Sequence, residues 1–315
     1  MKLIFSGTSD SDSYQVVKNA VEWSGVHSPD EVVLGAARGT DVLGELWANK
    51  EGVELKNFEA DWECKGKAAG PIRNKKMARY ADRLLAIWDG KNAGTRSMIQ
   101  KAYEEDISVD VYLTESPPDN DLMRGELLRR FPEIDSMETD VYRESTIDAF
   151  LTGCPTYFWE LPTSSTAKYH SEDEVSEHGN WLHTKRVFSA YQDVSRSLVE
   201  GGVISERDRE AGMAAALLHD LVKYGYPKRE GEHTIDYHDV LSASFIRQFK
   251  DLPEKVARLV NVHNGDWQSG PVPENTHEWS FHQSDLIASR RHNNIGISGP
   301  VPDEIREISD SIEVK

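Results

Sequence analysis

The apolar rhythm of the chain changes partway along. Up to about residue 114, short apolar runs alternate with helical patterns. Leu3-Ile4-Phe5, Val32-Val33-Leu34, Val53 to Phe58, Leu84-Leu85-Ala86-Ile87-Trp88 and Val109 to Leu113 read as strands. Residues 12–24, 41–51, 71–81 and 94–106 read as the helices between them, the second carrying Leu43, Leu46 and Trp47. Strands alternating with helices predict a doubly wound, parallel α/β sheet, whose ligands bind at the carboxyl ends of the strands.

From about residue 180 the pattern is helical throughout. His183, Val187, Tyr191, Val194 and Leu198 share one helix face, which stops at Gly201-Gly202. Ser205 suits the N-cap of the next helix, where Ala211, Ala215, Leu218, His219 and Val222 point inward until Gly225 and Pro227. His238, Leu241, Phe245 and Phe249 share a face, and so do Val256, Leu259, Val260 and His263. Asp251 and Pro253 suit the start of the latter helix. A last helix carries Trp279, His282, Asp285 and Leu286. The predicted architecture is α/β followed by all-α: domains over 1–114 and 154–315, joined by a linker over 115–153 with short helices. The boundary is the acidic, proline-broken stretch 114–121.

Polar punctuation in the first part falls after the strands. It comprises Ser6-Gly7-Thr8, Gly35 to Asp41 (with Arg38, Gly39 and Thr40), Gly70 to Asn74 (with Arg73), and Asp89 to Thr95 (with Gly94). Glycines let backbone N–H groups approach an anion, helix N-termini favour negative charge, and arginines add bidentate contacts. There is no P-loop motif. This set resembles the SLOG superfamily, which includes nucleotide-binding lonely-guy and DprA-like proteins. Gly35-Ala36-Ala37-Arg38-Gly39-Thr40-Asp41 follows a Gly-Ala-Arg-Gly-Thr-Asp pattern with one extra alanine, and Gly-Pro-Ile-Arg-Asn-x-x-Met ends at Met77. The resemblance implies nucleotide binding by Ser6, Gly7, Arg38, Gly39, Thr40, Asp41, Arg73, Asn74, Gly94 and Thr95. The lonely-guy pattern places a catalytic glutamate where this chain has Met98, so N-glycosidase activity is not expected.

In the helical part, His183, His219, His238 and His263 fall on buried stripes of four separate predicted helices, with Asp220 and Asp285 nearby in the pattern. Four buried imidazoles and two acids without a shared partner would be costly, and a shared metal removes that cost. The order His … His-Asp … His … His … Asp resembles the HD superfamily of metal-dependent phosphohydrolases. It implies a helical bundle holding one or two divalent ions (Mn, Mg, Fe, Co or Ni) on His183, His219, Asp220, His238, His263 and Asp285. Asp220 would bridge two ions, and Lys223 would sit near a phosphate. Lys168, His170, His178 and Arg186 are weaker candidates, expected at the surface.

Charge narrows the partners. The 315 residues carry a net −18, of which residues 1–114 hold −3 and the rest −15. Such a domain repels a phosphate backbone, so generic nucleic-acid binding is not expected and a nuclease is disfavoured. The acidic excess also suits a halophilic or viral source. Cys64 and Cys154 form no motif, and no apolar run is long enough for a membrane span, so a cytoplasmic setting is expected. The expectation is a phosphohydrolase acting on a small nucleotide-like substrate, with the first domain delivering substrate or sensing a ligand. A homo-oligomer is compatible with it. The rival is a non-catalytic nucleotide sensor in host–virus conflict.

Overall fold

The computed structural model describes residues 1–8, 13–36, 39–114, 122–165, 168–226, 228–231, 233–249, 252–265, 271–293, 295–297, 299 and 301. Arg38, Asp251, Pro227 and most of the boundary stretch 114–121 lie outside the described residues. The chain separates into two compact units, Met1–Ser116 and Pro117–Lys315.

The first unit is a five-stranded parallel sheet in the order β3-β2-β1-β4-β5. The strands are β1 (Lys2–Gly7), β2 (Glu31–Leu34), β3 (Glu54–Asn57), β4 (Arg83–Trp88) and β5 (Ser108–Leu113). Leu3, Ile4 and Phe5 of β1 and Leu84 to Trp88 of β4 are fully buried, as expected of central strands covered on both faces. The edge strand β3, Glu-Leu-Lys-Asn, is polar and largely exposed. The helices are α1 (Tyr14–Ser24), α2 (Thr40–Glu51), the short α3 (Trp62–Lys65), α4 (Ala69–Tyr80) and α5 (Ala93–Glu104). On α2 Leu46 is exposed, while Trp47 packs against Phe5. The strand order reverses at β1, which pairs with β2 on one side and β4 on the other. That switch point is where such sheets open a crevice. Gly7 is needed there, because a Cβ would collide with Thr40 and with the carbonyl of Ile87.

The second unit is helical: α6 (Arg124–Arg130), α7 (Asp140–Gly153), α8 (Tyr157–Glu160), α9 (Gly179–Glu200), α10 (Glu206–Leu218), α11 (His238–Ile246), α12 (Glu254–Val262) and α13 (Thr276–Ala288). The segment expected as a linker belongs to this unit. Phe131, beyond α6, meets Phe150 of α7 at 5.3 Å and Trp159 of α8 at 5.6 Å, and Trp159 meets Trp181 of α9 at 5.7 Å. An aromatic core of this size binds α6 and α7 to the bundle rather than leaving them as a tether. Ser205 caps α10 in a reciprocal box with Asp208. The small residues of α10 let α9 come close, and at Gly212 a Cβ would run into the Tyr191 ring. The helix expected to run to Gly225 stops at Leu218. Beyond it Leu221, Lys223 and Gly225 donate to carbonyls three residues back, so the chain tightens into successive turns. Trp279 of α13 is exposed. None of the described helices is long and apolar enough to cross a membrane.

Candidate metal centre and nucleotide cleft

The six ligand-type residues named from the sequence converge in the second unit. His183 comes from within α9, where the helix is buried all round. The other histidines sit at helix ends. His219 follows α10, His238 opens α11 and His263 follows α12. Their ligand atoms form two groups, each within 4.8 Å: His183, His219 and Asp285, and Asp220, His238 and His263.

Asp220 faces both groups with different oxygens. Oδ2 lies 3.3 Å from His219 Nε2 and 3.8 Å from His183 Nε2. Oδ1 lies 3.4 Å from His238 Nε2 and 3.7 Å from His263 Nε2. Asp285 Oδ1 closes the first group at 3.1 Å from His183 Nε2.

The backbone sets the tautomers. His219 Nδ1 donates to Ala216 O at 2.9 Å, His238 Nδ1 to Ile235 O at 2.9 Å and His263 Nδ1 to Val260 O at 2.6 Å. A neutral imidazole that donates from Nδ1 keeps its lone pair on Nε2. His219 Nε2 and Asp220 Oδ1 are buried without a hydrogen-bond partner. His238 Nε2 and His263 Nε2 lie 3.3 Å apart with lone pairs turned toward each other. Two such nitrogens repel unless a cation or proton lies between them. Nitrogens bound cis to one ion at about 2.1 Å sit about 3 Å apart. The donor set and its orphaned lone pairs therefore fit divalent metal, and the imidazole share favours a transition ion over Mg.

His183 is held differently, and here the sequence reading missed a residue. Its Nδ1 faces Glu174 Oε1 at 3.4 Å, and that fully buried carboxylate also meets His170 Nδ1 at 2.8 Å and Arg186 Nη1 at 3.1 Å. A carboxylate behind a ligating histidine fixes its ring and raises its basicity. Nothing but the acidic run Glu172-Asp173-Glu174 ahead of α9 marked it in the sequence. Arg186, expected at the surface, is buried and takes Asp173 in a fork at 3.0 and 2.6 Å. His170 is mostly buried, His178 is half-buried with its ring on Trp159 O, and Lys168 is exposed. Lys223 is buried rather than solvated: it contacts Asp220 Oδ2 and donates to Thr163 Oγ1 at 3.1 Å.

Electrostatics divide the site. Burial opposes a charged His183, but Glu174 and Asp285 outweigh it and raise the ring to about 9. Burial dominates at the other end and lowers His238 to about 4; at His263 burial and the neighbouring His219 and His238 lower the ring to about 3. Burial would raise Asp220 as well, yet Lys223 and His219 hold it well below the carboxylate range.

In the first unit, a cleft at the switch point has a volume of about 120 Å³, lined by Ser6, Gly7, Asp41, Arg73, Asn74, Gly94 and Thr95 among others. That is room for about four waters, the scale of a phosphoryl group. Gly39 precedes α2 as its N-cap, and Thr40, fully buried, donates from Oγ1 to Thr8 O at 3.2 Å, so neither lines the cleft. Arg73 Nη1 donates to Gly35 O and its Nε to Asn74 Oδ1 at 2.9 Å. Burial lowers its pKa while Asp41 opposes the fall. Gly35 N donates to Asp41 Oδ2 at 3.0 Å. Met98, in place of a glutamate, is buried in α5.

Residues 1–64 match the YspA, cpYpsA-related SLOG family, and residues 181–289 match the HD domain. The chain therefore belongs to the SLOG family through its first unit and to the HD superfamily of metal-dependent phosphohydrolases through its second. Over 84 residues it is 40% identical to the Gene 61 protein of Mycobacterium phage D29, covering 25% of this chain and 67% of that protein. No solved structure matches it significantly. The HD match contains all six metal-ligand candidates but ends short of Glu174 and His170.

Proposed function

We propose that the chain is a nucleotide phosphohydrolase whose second unit holds two divalent ions and whose first unit binds a nucleotide-like ligand. The observation that carries this reading is Asp220, one carboxylate presenting each oxygen to a different pair of imidazoles. His183, His219 and Asp285 would hold one ion, His238 and His263 the other, with Asp220 between them. When bound, such ions supply Lewis-acid polarisation of a phosphoryl oxygen and activation of water.

The chain's own residues do the positioning. Glu174 sets its charge 3.4 Å from His183 Nδ1, and three backbone carbonyls accept the Nδ1 protons of the other imidazoles. Lys223 balances Asp220 and keeps it ionised. In the first unit, the glycine-lined cleft with Arg73 suits the phosphate of the ligand, while Met98 stands where the lonely-guy pattern has its catalytic glutamate. The test is elemental analysis of metal-supplemented protein together with phosphate release from a panel of nucleotides. About two transition ions per chain and release from at least one nucleotide are expected. Protein that retains no divalent metal overturns the reading.

A further inference from the structure

The metal cluster is walled unevenly. His183, His219 and Asp220 have essentially no exposed side-chain surface, whereas Asp285 and His170 keep 12% and 14%. Two segments meet beside those more open residues. One is Lys168-Tyr169-His170, whose last ring lies 5.3 Å from His183. The other leaves α13 at Ser289, whose N–H donates to Asp285 O at 2.8 Å, and continues as Arg290-Arg291-His292. The segments are tied by Arg291 N–H donating to Tyr169 O at 2.8 Å.

Around Tyr169 they gather cations. Lys168 Nζ stands 4.8 Å from the ring centre and the Arg290 guanidinium 5.5 Å. Lys168, Arg290 and Arg291 are all exposed, and among the described residues none of the three takes part in an ion pair. No acidic residue occurs between Asp285 and Asp303, or between Glu160 and Glu172. Elsewhere this part of the chain is strongly acidic, and most of its arginines are paired: Arg124, Arg129, Arg130, Arg143, Arg186, Arg209, Arg247 and Arg258 all meet carboxylates. Two like charges collected on one tyrosine, with Arg291 tied beside them through its backbone and turned to His292 Nε2 at 3.2 Å, repel one another without a carboxylate until an anion joins them. Lys168 stands two residues from His170, and Arg290 five residues from Asp285.

We propose that this rim binds phosphate groups beyond the scissile one. The HD unit then takes substrates of the nucleoside di- or triphosphate class in preference to monophosphates, an inference that rests on the metal-centre reading above. A polynucleotide also offers successive phosphates, but the acidity of the unit opposes a long phosphate backbone while leaving a short, local anion acceptable.

The experiment uses the metal-loaded full chain carrying Arg73→Ala, which removes the arginine of the other cleft. Calorimetry compares inorganic tripolyphosphate with orthophosphate. Tripolyphosphate is expected to bind at least tenfold more tightly. Arg290→Gln with Arg291→Gln should remove that advantage and change orthophosphate affinity less than twofold. Equal loss for both anions, or for neither, overturns the rim. So does a 20-mer single-stranded DNA that outcompetes tripolyphosphate and loses more affinity in the same variant. Should the double variant misfold by circular dichroism, Lys168→Gln, on an exposed side chain, repeats the test with about a threefold selective loss expected. The metal-centre reading fails separately, if His219→Ala leaves both metal content and orthophosphate affinity unchanged.

Discussion

The two sites use polar atoms in opposite ways. In the SLOG cleft the main polar groups already have partners: Arg73 rests on Gly35 O and Asn74, and Asp41 accepts from Gly35 N. In the HD cluster, His219 Nε2 and Asp220 Oδ1 are buried with none, and two imidazole lone pairs face each other. A buried polar atom left alone costs on the order of 1–3 kcal/mol. The first site is therefore complete as it stands and takes a ligand by exchanging contacts. The second presents buried donor atoms that a cation would satisfy.

The largest test of that contrast is His219→Ala or Asp220→Ala. Each should abolish retained metal and phosphate release while circular dichroism changes little, because the lost atoms serve the ion rather than the core. Unchanged activity in Asp220→Ala would sink the comparison at once. His238→Ala should be graded, halving the metal content and removing most activity, since it touches only the Oδ1 side of Asp220. In the SLOG cleft the matching change is smaller. Arg73→Ala should weaken nucleotide binding about tenfold, or about 1.4 kcal/mol, read by calorimetry, without altering metal content.

Acidity sharpens the contrast further. In metal-stripped protein His238 and His263 stay neutral down to about 4 and 3, below their ordinary 6.5. The unfolded chain takes up those protons first, so stability should fall as pH drops from about 6.5 toward 3. His183, raised to about 9, acts in the other direction: its contribution is full below about 6.5 and lost as pH rises through 9. Metal must displace that proton, so affinity should climb with pH up to about 9. Thermal melts and metal titrations between pH 5 and 9.5 check both signs. A pH-independent metal affinity would contradict the His183 assignment. The smallest expected effect is a null one: chromatography should detect no free base from a nucleoside monophosphate, because Met98 offers no carboxylate. Base release would point to Asp41, the acid that lines the cleft.

Much of this was legible beforehand, for identifiable reasons. The strands of the first unit are runs such as Leu84 to Trp88 that leave little ambiguity, and the glycine loops mark their carboxyl ends. The six metal-site residues stood out because imidazoles seldom recur on apolar faces. What stayed hidden depends on three-dimensional approach. Glu174 lies in a polar acidic loop and becomes a buried partner only because the chain folds it against His183 and Arg186. Lys223 reads as an ordinary lysine one turn past the doublet, but the helix has already ended at Leu218 and the turns that follow swing it onto Asp220. Where the helical segment before residue 154 packs was not legible, because its aromatic partners lie up to fifty residues away.

The close crossing of α9 and α10 at Gly212 has a mechanical consequence. His183 lies eight residues from Tyr191 along one helix, and His219 seven residues from Gly212 along the other, arms of roughly 12 and 10 Å at 1.5 Å per residue. The crossing is a fulcrum, and the two imidazoles ride at the ends of its levers. A single methyl group wedged there, as in Gly212→Ala, tilts one rod against the other and spreads the jaws that must close on an ion. The damage would appear as weakened grip at a centre the substitution never touches.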